Sequence, residues 1–205
     1  MGTRARGRFV VLEGMDGAGT TTQARALAGL LTGRGREALY TREPSDGAVG
    51  AYIRCILRGE VDHPVSERTL AALFAADRLA HLDAEIGPAL ARGVDVVCDR
   101  YTLSSLAYQG VMTGDPEWVR QLNTHAREPD LTVLLDVPED EALRRRSGRG
   151  EQPERYEVDA TQRAVATAYR RLADDAGAIV LDGTWDPARL TASVLEALEG
   201  LEETA

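Results

Sequence analysis

The stretch FVVLEGMDGAGTTTQ, residues 9–23, decides how the chain is expected to fold. The apolar run over residues 8–14 is typical of a buried β-strand, and the apolar residues after Thr21 recur with the period of a helix. Between them, GMDGAGTT (residues 14–21) has the spacing of a phosphate-binding loop. Glycines let such a loop turn its backbone N–H groups toward phosphate oxygens at the N-terminus of the following helix.

Thr20 stands at the loop position where this spacing calls for lysine. The chain contains no lysine, so all 24 of its basic residues are arginine. A unit charge 4 Å from a phosphate is worth about 4 kcal/mol at an effective dielectric constant of 20, so its uncompensated loss would cost a few orders of magnitude in rate. Taken alone, the segment could equally be a tight glycine-rich turn that binds no ligand.

Four further apolar segments, residues 37–41, 94–98, 131–137 and 178–181, predict strands. Helical patterns separate them, over residues 21–31, 48–57, 66–86, 103–108, 138–146 and 158–175, with two more helices opened by Asp115-Pro116 and Asp186-Pro187. Strands that alternate with helices form a parallel sheet covered on both faces. We therefore predict an α/β fold, with a five-stranded parallel sheet, in a single domain spanning residues 1–205. Ligands of such sheets bind at the carboxyl ends of the strands.

Composition excludes several classes of protein. The longest unbroken apolar run, residues 70–76, is far shorter than the roughly 20 residues of a membrane span. A net charge of −9 opposes general binding of nucleic acid or anionic membranes. Two cysteines, Cys55 and Cys98, make no disulfide framework. We expect a cytoplasmic protein without a nucleic-acid or membrane partner.

Polar residues follow the predicted strands at the expected ligand edge. Asp99 and Arg100 end the third strand, where a carboxylate can hold Mg²⁺ and a guanidinium can bind phosphate, although a helix-capping Asp beside a surface Arg is a serious alternative. TREP (residues 41–44) ends the second strand, and by itself it favours a capped turn. SSLAYQG (residues 104–110) would add hydroxyls and an aromatic ring near a sugar, and a capped short helix explains it nearly as well.

Phe74 and Arg78 lie four residues apart in LFAADR and therefore share a helix face. An aromatic ring can stack on a base while a guanidinium reads the edge of that base. A phenylalanine in a helix is more often a core residue, so this pair carries little weight alone.

Five arginines are concentrated between residues 144 and 155: Arg144, Arg145, Arg146, Arg149 and Arg155. Glycines and Pro153 favour a mobile segment here, and a mobile arginine loop can close over a transferring phosphate. For Arg144 and Arg146 we favour the simpler interpretation of a solvated helix face.

Together, FVVLEGMDGAGTTTQ, TREP, LFAADR, DRYTLSSLAYQG, PDLTVLLDVP and RRRSGRGEQPERYE resemble the thymidylate kinase family of nucleoside monophosphate kinases, from Phe9 to about Tyr169. The resemblance implies a P-loop NTPase-type fold with a core sheet, a monophosphate site and a mobile arginine-rich lid at about residues 144–157. It implies transfer of the ATP γ-phosphoryl group to dTMP with Mg²⁺, giving dTDP and ADP, in an enzyme that is usually a homodimer.

The resemblance also implies roles, position by position. The catalytic residues would be Asp16, Arg100, Arg145 and Arg149. ATP would be bound by Gly14, Gly17, Ala18, Gly19, Thr20, Thr21, Thr22, Arg145, Arg149 and Arg155. The substrate dTMP would be bound by Asp16, Arg42, Pro44, Phe74, Arg78, Arg100, Ser104, Tyr108 and Gln109, with Phe74 stacked on thymine, Arg78 on its carbonyl edge and Tyr108 crowding a ribose 2′-hydroxyl. Thr21 and Asp99 would organise Mg²⁺.

Thr20 and the pair Ser45-Asp46 depart from the family's pattern. We hypothesise that a lid arginine, Arg145 or Arg149, substitutes for the missing ammonium group. Two alternatives remain open at this point. One is a non-catalytic nucleotide-binding protein with a degenerate loop, and the other is a kinase of another pyrimidine monophosphate, such as dUMP.

Overall fold

The computed structural model describes residues 6–148, 155–156 and 159–203. Its five strands are β1 (Phe9–Glu13), β2 (Ala38–Arg42), β3 (Asp95–Asp99), β4 (Leu131–Asp136) and β5 (Ile179–Asp182). They form one parallel sheet in the order β2-β3-β1-β4-β5. The predicted α/β fold with a five-stranded parallel sheet is confirmed, and β1, which leads into the glycine-rich loop, lies at its centre.

The helices of the described residues are α1 (Thr20–Gly33), α2 (Ala48–Leu57), α3 (Glu67–His81), α4 (Gly87–Ala91), α5 (Thr102–Thr113), α6 (Pro116–Leu122), α7 (Glu139–Ser147), α8 (Asp159–Asp175) and α9 (Pro187–Glu203). A π-helical segment, Leu82–Ile86, joins α3 to α4, so the helix predicted to end at residue 86 continues in helical form to Ala91. None of these helices is both long and apolar enough to cross a bilayer.

Helix starts follow the capping signals of the sequence. The Asp115 carboxylate accepts a hydrogen bond from the Trp118 N–H (3.2 Å), and Asp186 accepts one from the Ala188 N–H (2.9 Å). Each bond satisfies an N–H group that has no partner within the first turn of its helix. Both predicted helix starts are therefore confirmed.

The core covers both faces of the sheet because alternate residues of β1 point in opposite directions. Val10 and Leu12 pack with residues of α1 and α9, whereas Phe9 and Val11 pack with residues of α4. All five residues of β1 are buried. This packing fixes the strand whose carboxyl end carries the glycine-rich loop.

The predicted lid is described only in part. Its first residues form the end of α7, and residues 149–154, 157 and 158, Arg149 among them, lie outside the described residues. The mobility of the lid stays a prediction.

Candidate active site

The glycine-rich loop joins β1 to α1 and packs directly against α7. Gly17 and Gly19 have φ angles of 92° and 93°, which glycine adopts without the strain of a side chain. A Cβ atom on Gly17 would lie 2.5 Å from the Ala142 carbonyl oxygen. Gly19 caps α1 in the left-handed conformation, and no side chain of the described residues caps this helix. The N–H groups at the start of α1 are therefore available to an anion.

Thr20, at the lysine position, is the first residue of α1 and is only 5% exposed. Its methyl group packs toward Gly14, where an added Cβ would meet it at 3.3 Å. Its hydroxyl makes no hydrogen bond to the described part of the chain. The side chain that replaces lysine thus fills space at the base of the loop and brings no charge to it.

Arg100, which follows β3, reaches into the loop. Its guanidinium donates to the Gly14 carbonyl (2.6 Å) and to Asp16 Oδ1 (2.7 Å). The second Asp16 oxygen accepts from Gln162 of α8 (2.9 Å), and the Asp16 N–H donates to the Tyr108 hydroxyl (3.0 Å). Burial alone would lower the pKa of Arg100, but Coulombic interactions with Tyr108 and Asp16 raise it well above its ordinary value, so it stays charged.

Glu13, the last residue of β1, anchors the start of α5 beneath this network. Its fully buried carboxylate accepts from the N–H groups of Tyr101 (2.9 Å) and Ser104 (3.1 Å) and from the hydroxyls of Ser104 (2.5 Å) and Tyr169 (3.1 Å). Burial raises the pKa of Glu13. Our sequence reasoning missed this residue, although a carboxylate that ends a wholly apolar strand was a usable signal.

A cavity of about 220 Å³ opens beside the loop, at the carboxyl ends of β2 and β3. All nine residues predicted to bind the acceptor line it: Asp16, Arg42, Pro44, Phe74, Arg78, Arg100, Ser104, Tyr108 and Gln109. Both predicted metal-organising residues, Thr21 and Asp99, line it as well. Further lining residues were not predicted: Glu43, Arg54, Leu57, Tyr101, Ser105 and Tyr156. The structure therefore brings the predicted acceptor residues together around one space.

Arg78 lines this cavity, is 1% exposed and is surrounded by polar partners. Its Nη2 atom lies 2.7 Å from Glu43 Oε2 and donates to the Tyr101 carbonyl and the Ser105 hydroxyl, each at 3.0 Å. Nη1 donates a short hydrogen bond to Asn123. The buried Nε atom has no hydrogen-bond partner among the described residues, so one donor is left over.

Arg42 and Arg54 lie together at the mouth of the cavity, and Asp46 bridges them. Asp46 Oδ1 is 3.0 Å from Arg42 Nη2 and 3.4 Å from Arg54 Nη2, with the Asp46 side chain 79% exposed. Asp46, which departs from the family's pattern, thus forms ion pairs with two arginines that line the cavity.

The neighbouring departure from the family's pattern, Ser45, has a structural role. Its N–H (2.7 Å) and its hydroxyl (2.6 Å) both donate hydrogen bonds to the Asp77 carboxylate.

Thr21 and Asp99 form an oxygen pair suited to a hard cation. The Thr21 hydroxyl donates a short hydrogen bond to Asp99 Oδ2, while the buried Asp99 Oδ1 has no partner among the described residues. Hydroxyl and carboxylate oxygens match the ligand preference of Mg²⁺, which takes few protein ligands and completes its shell with water and phosphate. In the described part of the chain, no three His, Cys, Asp or Glu residues gather into a denser metal site.

Of the arginines at the end of α7, Arg144 is the exposed one. Its side chain is 75% exposed and pairs with Glu141 (2.8 Å), which confirms the predicted solvated face for this residue. The same interpretation is wrong for Arg146, which is 9% exposed and donates to the Asp16 carbonyl in the loop (2.7 Å). Arg146 is buried because the glycine at position 17 lets α7 approach the loop closely.

The two other predicted lid arginines that the structure describes, Arg145 and Arg155, lie in different places. Arg145 pairs with Glu141 (2.6 Å) and lies against the loop, with Nη1 3.5 Å from the Ala18 carbonyl. Arg155 instead donates to the Val65 carbonyl (2.9 Å) and Glu67 (2.6 Å) at the start of α3. The structure thus brings Arg145, but not Arg155, to the loop.

A sequence profile of the thymidylate kinase family matches residues 12–192. The chain belongs to the thymidylate kinase family. It is 46% identical over 172 residues to a probable thymidylate kinase of Pyrococcus horikoshii, an alignment that covers 82% of this chain and 84% of the relative. It is 43% identical over 175 residues to a thymidylate kinase of Alkalilimnicola ehrlichii, covering 82% and 81%.

A third relative, a thymidylate kinase of Gluconobacter oxydans, is 40% identical over 204 residues, with 94% of each chain covered. The profile includes the glycine-rich loop, the cavity and α7. Family membership places the chain among the ATP-dependent nucleoside monophosphate kinases.

Proposed function

We propose that this chain transfers the γ-phosphoryl group of ATP to dTMP, with Mg²⁺, and releases dTDP and ADP. An oxygen of the dTMP phosphate forms the new bond to the γ-phosphorus, and the bond from that phosphorus to the β–γ bridging oxygen breaks. The relatives named above, together with the residues around the cavity, support this reaction.

The observation that carries the proposal is that the glycine-rich loop and the cavity are contiguous. Asp16 of the loop and Thr21, in the first turn of α1, also line the cavity. A donor triphosphate on the loop and an acceptor phosphate in the cavity would therefore meet at these two residues. Phosphoryl transfer needs this kind of positioning more than it needs covalent chemistry from the protein.

We assign recognition of the base to Phe74 and Arg78, which both line the cavity. The Phe74 ring would offer a stacking surface, and the Arg78 guanidinium would lie at the carbonyl edge of the base. The buried Tyr108 ring, fixed by its bond with the Asp16 N–H, would crowd a ribose 2′-hydroxyl and favour a deoxyribose.

Charge at the reacting phosphates comes from arginine and from the metal. Arg42 and Arg100 would bind the acceptor phosphate, and Arg145 would approach the donor from α7. Mg²⁺, held by Thr21 and Asp99, would neutralise charge on the phosphate oxygens. The structure keeps Thr21 and Asp99 in contact, so both would face the same ion.

Three further features are proposed on the family resemblance: assembly as a homodimer, a cytoplasmic location and a mobile lid at about residues 144–157. Exposed apolar side chains on adjacent helices, Tyr52 of α2 and Leu79 of α3, would suit a subunit interface. Light scattering behind size exclusion would give the mass of the assembly in solution.

The test is ADP formation with ATP and MgCl₂ against a panel of dTMP, dUMP, UMP, CMP and AMP. We expect dTMP to give the highest kcat/KM. Asp99→Asn is expected to lower kcat strongly. Asp136→Asn, at the end of β4 but outside the cavity and paired with Arg170 (3.0 Å), is the matched control and is expected to stay near wild type. A wild-type protein that forms no ADP with any monophosphate contradicts the proposal.

A further inference from the structure

Three arginines donate hydrogen bonds to the phosphate loop of this lysine-free chain, at the carbonyl groups of every second residue. The carbonyl oxygens of Gly14, Asp16 and Ala18 accept from, in order, Arg100 (2.6 Å), Arg146 (2.7 Å) and Arg145 (3.5 Å). The contact with Asp16 falls at the middle of the loop, next to Gly17, where an added Cβ would lie 2.5 Å from the Ala142 carbonyl oxygen of α7.

A guanidinium on the carbonyl side of a peptide also acts on the other side of that peptide. In a trans peptide the C=O and the N–H point in opposite directions. Arg146 binds the Asp16 carbonyl, so it directs the Gly17 N–H toward the opposite side and increases its polarity. The Gly17 N–H donates no hydrogen bond to a described residue, which leaves it available to a phosphate oxygen.

Arg146 differs from Arg100 and Arg145, the other two arginines at the loop, because no carboxylate compensates its charge among the described residues. Arg100 pairs with Asp16 (2.7 Å), and Arg145 pairs with Glu141 (2.6 Å). For Arg146, no carboxylate of the described residues lies within the 4 Å of an ion pair, and the residue is nine-tenths buried. Within the described part of the chain, its positive charge is therefore the least compensated of the three at the loop.

We propose that Arg146 is the positioning residue that supplies, from behind the loop, the positive charge that Thr20 does not. The proposal rests on the proposed function and names a residue different from Arg145 and Arg149, on which the sequence hypothesis was built. Arg146 orients the Asp16–Gly17 peptide for the triphosphate and contributes its field across that peptide. A lysine introduced at position 20 would make this contribution redundant.

The experiment is a double-mutant cycle between positions 20 and 146. Wild type, Arg146→Gln, Thr20→Lys and the double variant are compared for kcat and KM for ATP with dTMP as acceptor. Loss of one charge-assisted hydrogen bond corresponds to about 10- to 100-fold, so we expect Arg146→Gln to lower kcat/KM for ATP by that factor. With lysine at position 20, we expect the same change to cost less than about 3-fold.

Two variants separate positioning from a general loss of structure. Arg146→Lys keeps the charge and is expected to retain most of the activity. Arg144→Gln removes an arginine from the same helix turn and is expected to behave as wild type, since Arg144 is exposed. The melting temperature of every variant is measured alongside.

The inference is overturned if Arg146→Gln costs the same factor in both backgrounds, because damage to the fold would not be relieved at position 20. Near-normal kinetics of Arg146→Gln overturn it as well. The proposed function is judged separately, on wild-type turnover with dTMP. Should wild type bind ATP without turning over, the dissociation constants of ATP for the same four proteins decide the inference.

Discussion

Replacing Asp46 by asparagine is expected to improve the binding of dTMP. Asp46 competes with the acceptor phosphate for two arginines, Arg42 at 3.0 Å and Arg54 at 3.4 Å. Its side chain is 79% exposed, so each ion pair is worth well under 1 kcal/mol. Taken together, the two pairs amount to about 0.4–1.4 kcal/mol, which predicts a KM for dTMP about 2- to 10-fold lower in Asp46→Asn.

Steady-state kinetics with dTMP as the varied substrate at saturating ATP measure this effect. Asp62→Asn, which removes an exposed carboxylate that does not line the cavity, is the control for net charge. The difference between the two variants should shrink at 1 M salt, where the Debye length falls to about 3 Å. A KM for dTMP that is unchanged or higher in Asp46→Asn refutes the assignment of Arg42 to the acceptor phosphate.

Three further outcomes are expected. Burial alone would lower the pKa of His81, but its hydrogen bonds to two glutamates raise that pKa. The protonated His81 therefore stabilises the folded state. This stabilisation is full below about pH 6.5 and is lost as the pH rises through the raised pKa. Urea unfolding should therefore show His81→Gln more destabilised at pH 5.5 than at pH 9, and an equal deficit at both would contradict the reasoning. Gly17→Ala should abolish ATP binding in calorimetry, because its Cβ would lie 2.5 Å from the Ala142 carbonyl at a φ of 92°, whereas Gly29→Ala meets no atom within 4 Å and should bind normally. Chelation of divalent metal should stop ADP formation and excess MgCl₂ should restore it; turnover that persists in chelator would argue against the Thr21–Asp99 site.

The resemblance to the thymidylate kinase family supplied the residues around the cavity, and two general rules of protein structure had already indicated part of that set. Parallel strands place their carboxyl ends at one edge of the sheet, which indicated Arg42 and Arg100 as candidates, and the adjacent positions of β2 and β3 bring the two residues to one cavity. Phe74 and Arg78 were added by helical spacing, since residues four apart share a face. Both rules depend only on the regular geometry of strands and helices, and the structure agrees with both.

The residues that were missed or misjudged depend on packing between elements. Arg144, Arg145 and Arg146 are consecutive, so helical spacing separates their directions without saying which one faces the loop. The close approach of α7 to Gly17 decides that. Arg54 lies on α2 outside any motif, and its place in the cavity follows only from the chain path after β2.

The phosphate loop of this chain, which has no lysine, is expected to support phosphoryl transfer between nucleotides. Product analysis of the unmodified protein, incubated with ATP, dTMP and MgCl₂ and separated by ion-exchange chromatography, tests it most directly. We expect dTDP and ADP in equal amounts, formed only when both substrates are present. Unchanged ATP and dTMP after prolonged incubation at stoichiometric enzyme would contradict it.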